Sequence, residues 1–164
     1  MQKGLVWMMT TIRLKPLLFH LALPLAVGGA AALLTRDQTG IVYQSIEQPL
    51  FSPPVWVFPV VWTILYILMG VAAYLIQVTP CRYSKKALNI YWCSLVVNFL
   101  WPVVFFQLQQ FTLALVLLIV LWGLVFAAAA FYSLCNKTAC ILMIPYLLWL
   151  SFAAYLNMAI VCLN

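Results

Sequence analysis

The chain has 164 residues, 68% of them apolar and only 6% charged, against about a quarter charged in an ordinary soluble domain. That leaves too little polar material to coat a water-facing surface, which excludes a soluble globular enzyme. An aromatic content of 15% excludes a disordered chain. Eight Lys and Arg face two acids, for a net charge of +6. These cations sit in loops flanking apolar runs, where they report membrane topology and not nucleic-acid binding.

A membrane-spanning helix needs about 20 mostly apolar residues, so the length suits one compact membrane domain. The first apolar segment covers residues 16–35, behind Lys3, Arg13 and Lys15. Its small residues Gly28 to Ala32 could end a signal peptide, but the stretch exceeds a usual signal core and reads as a retained helix. His20, the single histidine, reads as a polar residue near the interface or bonded to a neighbouring helix, in preference to a proton relay. A long connection, residues 36–53, holds both carboxylates, Asp37 and Glu47, with Tyr43 and the Pro53-Pro54 pair. A loop of this length serves equally as a binding lid or a mobile linker.

Four more apolar segments follow at residues 54–78, 88–108, 111–134 and 139–163. Open strands would leave backbone groups unpaired in lipid, so the expected fold is an all-α bundle of five transmembrane helices in a single domain. Seven basic residues lie on the side of the N-terminus, while Arg36 alone lies opposite. The charge bias therefore predicts an N-terminus inside and a C-terminus outside. Five cysteines cannot all pair, and they show no metal-ligand spacing. Cys81 and Cys135 fall in loops far apart in sequence, and all five read as structural.

The chemistry-bearing inventory is thin. No phosphate loop, HExxH or GxSxG is present, and no string of acids or bases runs through the helices. No catalytic residue, metal site or required cofactor is expected. The aromatics say more. Trp56 and Trp92 suit interface belts, whereas Trp62, Trp101, Trp122 and Trp149 lie deeper in their segments. At about 100° per residue, Trp62, Tyr66, Met69 and Ala73 share one face of the second segment. Tyr91, Ser94, Asn98, Trp101 and Phe105 share a face of the third. Tyr146, Trp149, Ala153 and Asn157 share one on the fifth. Polar groups at this depth need partners, so these faces point into the bundle. Two readings stand: Asn98 and Asn157 tie helices together, or the aromatics line a pocket for a flat apolar ligand.

Residues 43–75, YQSIEQPLFSPPVWVFPVVWTILYILMGVAAYL, resemble the signature of the TspO/MBR family, the tryptophan-rich sensory proteins that include the mitochondrial translocator protein. Asn98-Phe-Leu-Trp101-Pro102 with Phe105, and Pro145-Tyr-Leu-Leu-Trp149 through Asn157, agree in order and spacing. The resemblance implies a five-helix bundle, commonly dimeric, with a pocket closed by the long first loop. It implies porphyrin, heme and benzodiazepine-site ligands. It places Trp62, Asn98, Trp101, Phe105, Trp149 and Ala153 around the ligand and Pro53-Pro54 at the start of the second helix. The shared helix faces add Tyr66 and Tyr146 as ligand-binding candidates, and Tyr43, Pro53 and Pro54 are the expected lid residues. Phe51 and Val42 stand where the family usually has Trp, which weakens the case for its light-driven porphyrin degradation. No Lys or Arg follows Tyr155 to complete a cholesterol consensus.

The expected function is a membrane receptor or sensor that binds tetrapyrroles such as protoporphyrin IX or heme, with their carboxylates turned towards Arg36. The alternatives are a light- and oxygen-dependent porphyrin-degrading catalyst and a tetrapyrrole transporter. The expected setting is a bacterial cytoplasmic membrane, with the lipid bilayer, an apolar ligand and a second copy as partners, and no nucleic acid.

Overall fold

The computed structural model describes residues 13–164, and Lys3 lies outside them. They form five long helices in the order α1 (Leu14–Ser45), α2 (Val57–Val78), α3 (Ser84–Pro102), α4 (Phe111–Cys135) and α5 (Lys137–Leu163). All five are long and apolar enough to cross a bilayer, so the chain is an integral membrane protein.

Neighbouring helices close a ring in the order α1, α2, α5, α4, α3 and back to α1. The α1–α2 seam is tight for a local reason. Pro24 has no N–H to return to the carbonyl of His20 one turn earlier. That carbonyl instead lies against Gly70 of α2, so closely that a β-carbon there would collide with it. His20 itself is buried; its Nε2 donates to Gln77 Oε1 of α2, and its ring stacks on Trp92 of α3 at 5.3 Å. The histidine therefore joins three helices.

α1 continues to Ser45, well past the expected end at Thr35. Its 32 residues make a rod of about 48 Å, longer than the roughly 30 Å hydrocarbon core. Arg36, Asp37 and Tyr43 are consequently helical, and the connection to α2 shrinks to residues 46–56. At the other end of the bundle α4 and α5 are joined through Asn136 alone. Its amide N–H bonds the Tyr132 carbonyl at 2.7 Å, while its Oδ1 caps α5 by accepting from the Ala139 N–H.

Pro102 closes α3, and one π-helical turn, Val103–Gln107, follows. There the Leu108 N–H reaches the Val103 carbonyl five residues back. Phe105, four residues after Trp101 and within this turn, lies beside it with ring centroids 5.3 Å apart. The largest cluster of core residues fills the α2–α3–α4–α5 interior around Met69, Tyr91, Tyr132, Met143 and Tyr146, all fully enclosed.

Candidate functional site

The half of the bundle nearer the α1–α2 connection is hollow. A cavity of about 960 Å³ opens there, walled by α1, α2, α3, α5 and the connection, with no residue of α4 among its lining. Trp62 and Tyr66 of α2 line it with ring centroids 5.6 Å apart, nearly stacked. From α3 come Asn98, Trp101 and, through the π turn, Phe105. α5 supplies Ala153 and Asn157, the first small enough to leave space beside the rings.

Two amides hold these walls. Asn98 Oδ1 accepts from the Tyr66 hydroxyl at 2.8 Å, and its Nδ2 donates to the Tyr146 hydroxyl at 2.5 Å. One buried side chain thus links α2, α3 and α5. Asn157 Oδ1 accepts from the Trp101 indole at 3.3 Å while its Nδ2 donates to the Phe111 carbonyl at 3.0 Å. Tying helices and lining a pocket, the two readings left open by spacing, are here the same residues.

The α1 wall is made of small side chains. The Tyr66 ring occupies the space a β-carbon on Gly28 would need. Two and three turns on, the Thr35 and Thr39 hydroxyls bond back to the carbonyls of Ala31 and Thr35 at 3.0 and 2.8 Å. Their hydroxyls are thereby used within the helix. At the mouth stands Arg36, whose Nε lies 3.2 Å from Asp37 Oδ1 with both side chains largely exposed. No other charged residue lines the cavity among the described residues.

The matching family model, the TspO/MBR family, covers residues 20–163. The chain is 36% identical over 148 residues to the tryptophan-rich protein TspO of Chlorobaculum tepidum, spanning 88% of this chain and 92% of the relative. It is 39% identical to a tryptophan-rich sensory protein of Cereibacter sphaeroides, with 81% of each covered. It is 36% identical to the translocator protein of Bos taurus, with 82% of each covered. The chain belongs to the TspO/MBR family.

In this TspO/MBR chain most of the residues expected at the site meet at the cavity: Trp62, Tyr66, Asn98, Trp101, Phe105 and Ala153, with Tyr43 at the lid. Tyr146 is fully enclosed behind Asn98 and acts on the cavity through it. Trp149 lies elsewhere. It faces a shallow apolar groove between α2 and α5, beside Pro145 and Phe152, and packs edge-on to Phe58 at 6.0 Å. On a helical wheel Trp149 stands about 80° from Asn157, enough to turn its indole out of the cavity. Trp122 also looks outward, with its indole donating to Ser151 Oγ at 3.0 Å.

The lid of this TspO/MBR chain is tied down. The Tyr43 hydroxyl donates to the Pro53 carbonyl at 2.5 Å, and the Tyr155 hydroxyl to the Leu50 carbonyl at 3.1 Å. The Glu47 N–H donates to Asn164 Oδ1 at 2.9 Å. Pro53 and Pro54 shape this turn without lining the cavity; Ser52 and Val55 on either side do so. Gly28, Thr35 and Thr39 also line the cavity but carry no aromatic ring to mark them; the aromatic that α1 brings there, Tyr43, lies beyond its apolar run. Their i, i+7, i+11 spacing of small and hydroxyl residues is the signal that could have found them.

Proposed function

We propose that this membrane protein of the TspO/MBR family is a receptor or sensor for a planar, mainly apolar ligand carrying acid groups, of the tetrapyrrole class: protoporphyrin IX or heme. The observation that carries this reading is the cavity of about 960 Å³ with Trp62, Trp101 and Phe105 in its walls and one cation among the described residues, Arg36, at its mouth. That volume is at the upper end for small-molecule sites. Ring stacking and apolar burial supply the affinity, and Arg36 receives a carboxylate in exchange for Asp37. Benzodiazepine-site drugs occupy the same cavity without that last contact. Relatives named as sensory and translocator proteins support the receptor reading.

Porphyrin titration in detergent tests it. Trp62→Ala should raise the Kd about tenfold, the loss of roughly 1.4 kcal/mol of stacking and burial, while Trp149→Ala leaves it within twofold. Equal losses in both variants would remove the ligand from this cavity. Binding without turnover is the proposed activity, so illuminated porphyrin should bleach at the same rate with and without protein.

We place the chain in a bacterial cytoplasmic membrane as a homodimer, with the N-terminus inside. Arg13, Lys15, Arg82, Lys85, Lys86 and Lys137 all lie at the end opposite the lid, which supports this orientation. With Cys93, Cys140 and Cys162 replaced by Ser, a membrane-impermeant maleimide on intact cells should label Glu47→Cys and spare Lys137→Cys.

A further inference from the structure

The end of the bundle opposite the lid holds a pair of cysteines that ligand binding does not use. Cys81, in the α2–α3 connection, and Cys135, the last residue of α4, form a disulfide with Cα atoms 5.5 Å apart. Cys93, Cys140 and Cys162 are free. Both bonded cysteines are partly exposed at helix ends, within reach of a water-borne thiol. Their surroundings are cationic: Arg82 follows Cys81, Lys137 comes two residues after Cys135, and Lys85 and Lys86 open α3, all four exposed. Both carboxylates of the chain, Asp37 and Glu47, lie at the other end. Positive charge without a competing acid favours thiolate, the form that attacks a disulfide.

The two connections are also joined without sulfur. Asn136 Nδ2 donates to Thr79 Oγ1 at 3.1 Å, two residues before Cys81. Reduction therefore breaks one link of a two-link clasp and leaves the thiols near each other, ready to close again.

We propose that Cys81 and Cys135 are a reversible dithiol–disulfide modification site. The oxidant is a low-molecular-weight disulfide of the glutathione type. One protein thiolate attacks it, forms a mixed disulfide and expels one small thiolate. The second protein thiolate then attacks the bonded protein sulfur and expels the other. Two protein thiols lose two electrons and two protons, and the small disulfide becomes two small thiols. Reduction runs the same steps backwards. In the orientation proposed above this face is cytoplasmic, where lasting disulfides are rare and those that form are usually transient or redox-sensing. Only that cellular consequence rests on the orientation, which the maleimide experiment tests separately.

The full chain in detergent, equilibrated anaerobically across ratios of reduced to oxidised glutathione, acid-quenched and alkylated in denaturant, gives the test by intact mass. Three alkyl groups mark the disulfide and five mark the dithiol. The expected result is a reversible passage from three to five as the reduced fraction rises. The Arg82→Gln, Lys137→Gln variant should exchange on the order of threefold more slowly, and Cys135→Ser should hold one glutathione on Cys81. Three groups persisting in a large excess of reduced glutathione would make the bond a fixed structural one. Five groups in fully oxidised buffer would mean that no bond forms. Either result overturns the proposal.

Discussion

Asn98 shows how little side chain is needed to hold the cavity. Its carbonyl is engaged by Tyr66 and its amino group by Tyr146, on two different helices and away from water. Replacing it by Leu strands both hydroxyls, each at about 1–3 kcal/mol. Asn98→Leu should therefore lower stability in detergent by about 2–6 kcal/mol. Adding Tyr66→Phe and Tyr146→Phe to that variant should restore most of the loss, because no polar group is then left unpaired. A triple variant no more stable than the single one would show that the loss came from shape. Gly28 acts on the same tyrosine from the other side. A methyl group there must displace the Tyr66 ring, which is stacked with Trp62. Gly28→Ala should weaken porphyrin binding about tenfold, a change of roughly 1.4 kcal/mol. Gly123→Ala on α4, where nothing lies within 4 Å, should leave it unchanged.

At the scale of whole helices, the five spans were legible because each apolar run matches the thickness of the hydrocarbon core. The extension of α1 was not. After Thr35 come Arg36, Asp37 and Gln38, which end an apolar run without ending a helix. Beyond the hydrocarbon a helix needs no apolar residues, and Thr35, Thr39 and Tyr43 continue one face at i, i+4 and i+8. The same period that grouped Tyr146, Ala153 and Asn157 correctly also swept in Trp149, since a face drawn some 80° wide admits a residue at its edge. The α1–α2 seam joins two features that composition cannot connect, a proline on one helix and a glycine on the other. Gly70→Ala would press a methyl group against the His20 carbonyl, which is backbone and yields little. It should cost about 1–3 kcal/mol by overpacking, read as a lower midpoint on thermal unfolding in detergent. An unchanged midpoint would mean that the two helices separate there without penalty.

Across the whole molecule, the ring of helices is packed solid at the cationic, disulfide-bonded end and hollow at the lid. Which loops meet is a matter of topology, so sequence could list Cys81 and Cys135 but not join them. It could name Trp62, Trp101 and Phe105 of the cavity but not Trp56, Phe58 and Phe106 beside them, nor the order of helices that leaves α4 outside it. A ligand seated there touches α1, α2, α3 and α5 together, which the unfolded chain cannot offer, so binding must stabilise the fold. At a free concentration one hundred times its Kd, a ligand that binds only the native state adds about 2.7 kcal/mol. Protoporphyrin and a neutral benzodiazepine-site drug, each at that ratio, should therefore raise the unfolding midpoint equally. Salt should separate them. The Arg36 contact lies in water, largely exposed, where added ions screen it, whereas ring stacking on Trp62 is indifferent to ionic strength. Raising salt from about 0.01 M to 1 M shortens the screening length from roughly 30 Å to 3 Å. That should weaken porphyrin binding about twofold to fivefold, the range expected of an exposed ion pair, and leave the neutral drug unaffected. Arg36→Gln should abolish the difference. A salt effect that persists in that variant would place the porphyrin carboxylates away from the mouth.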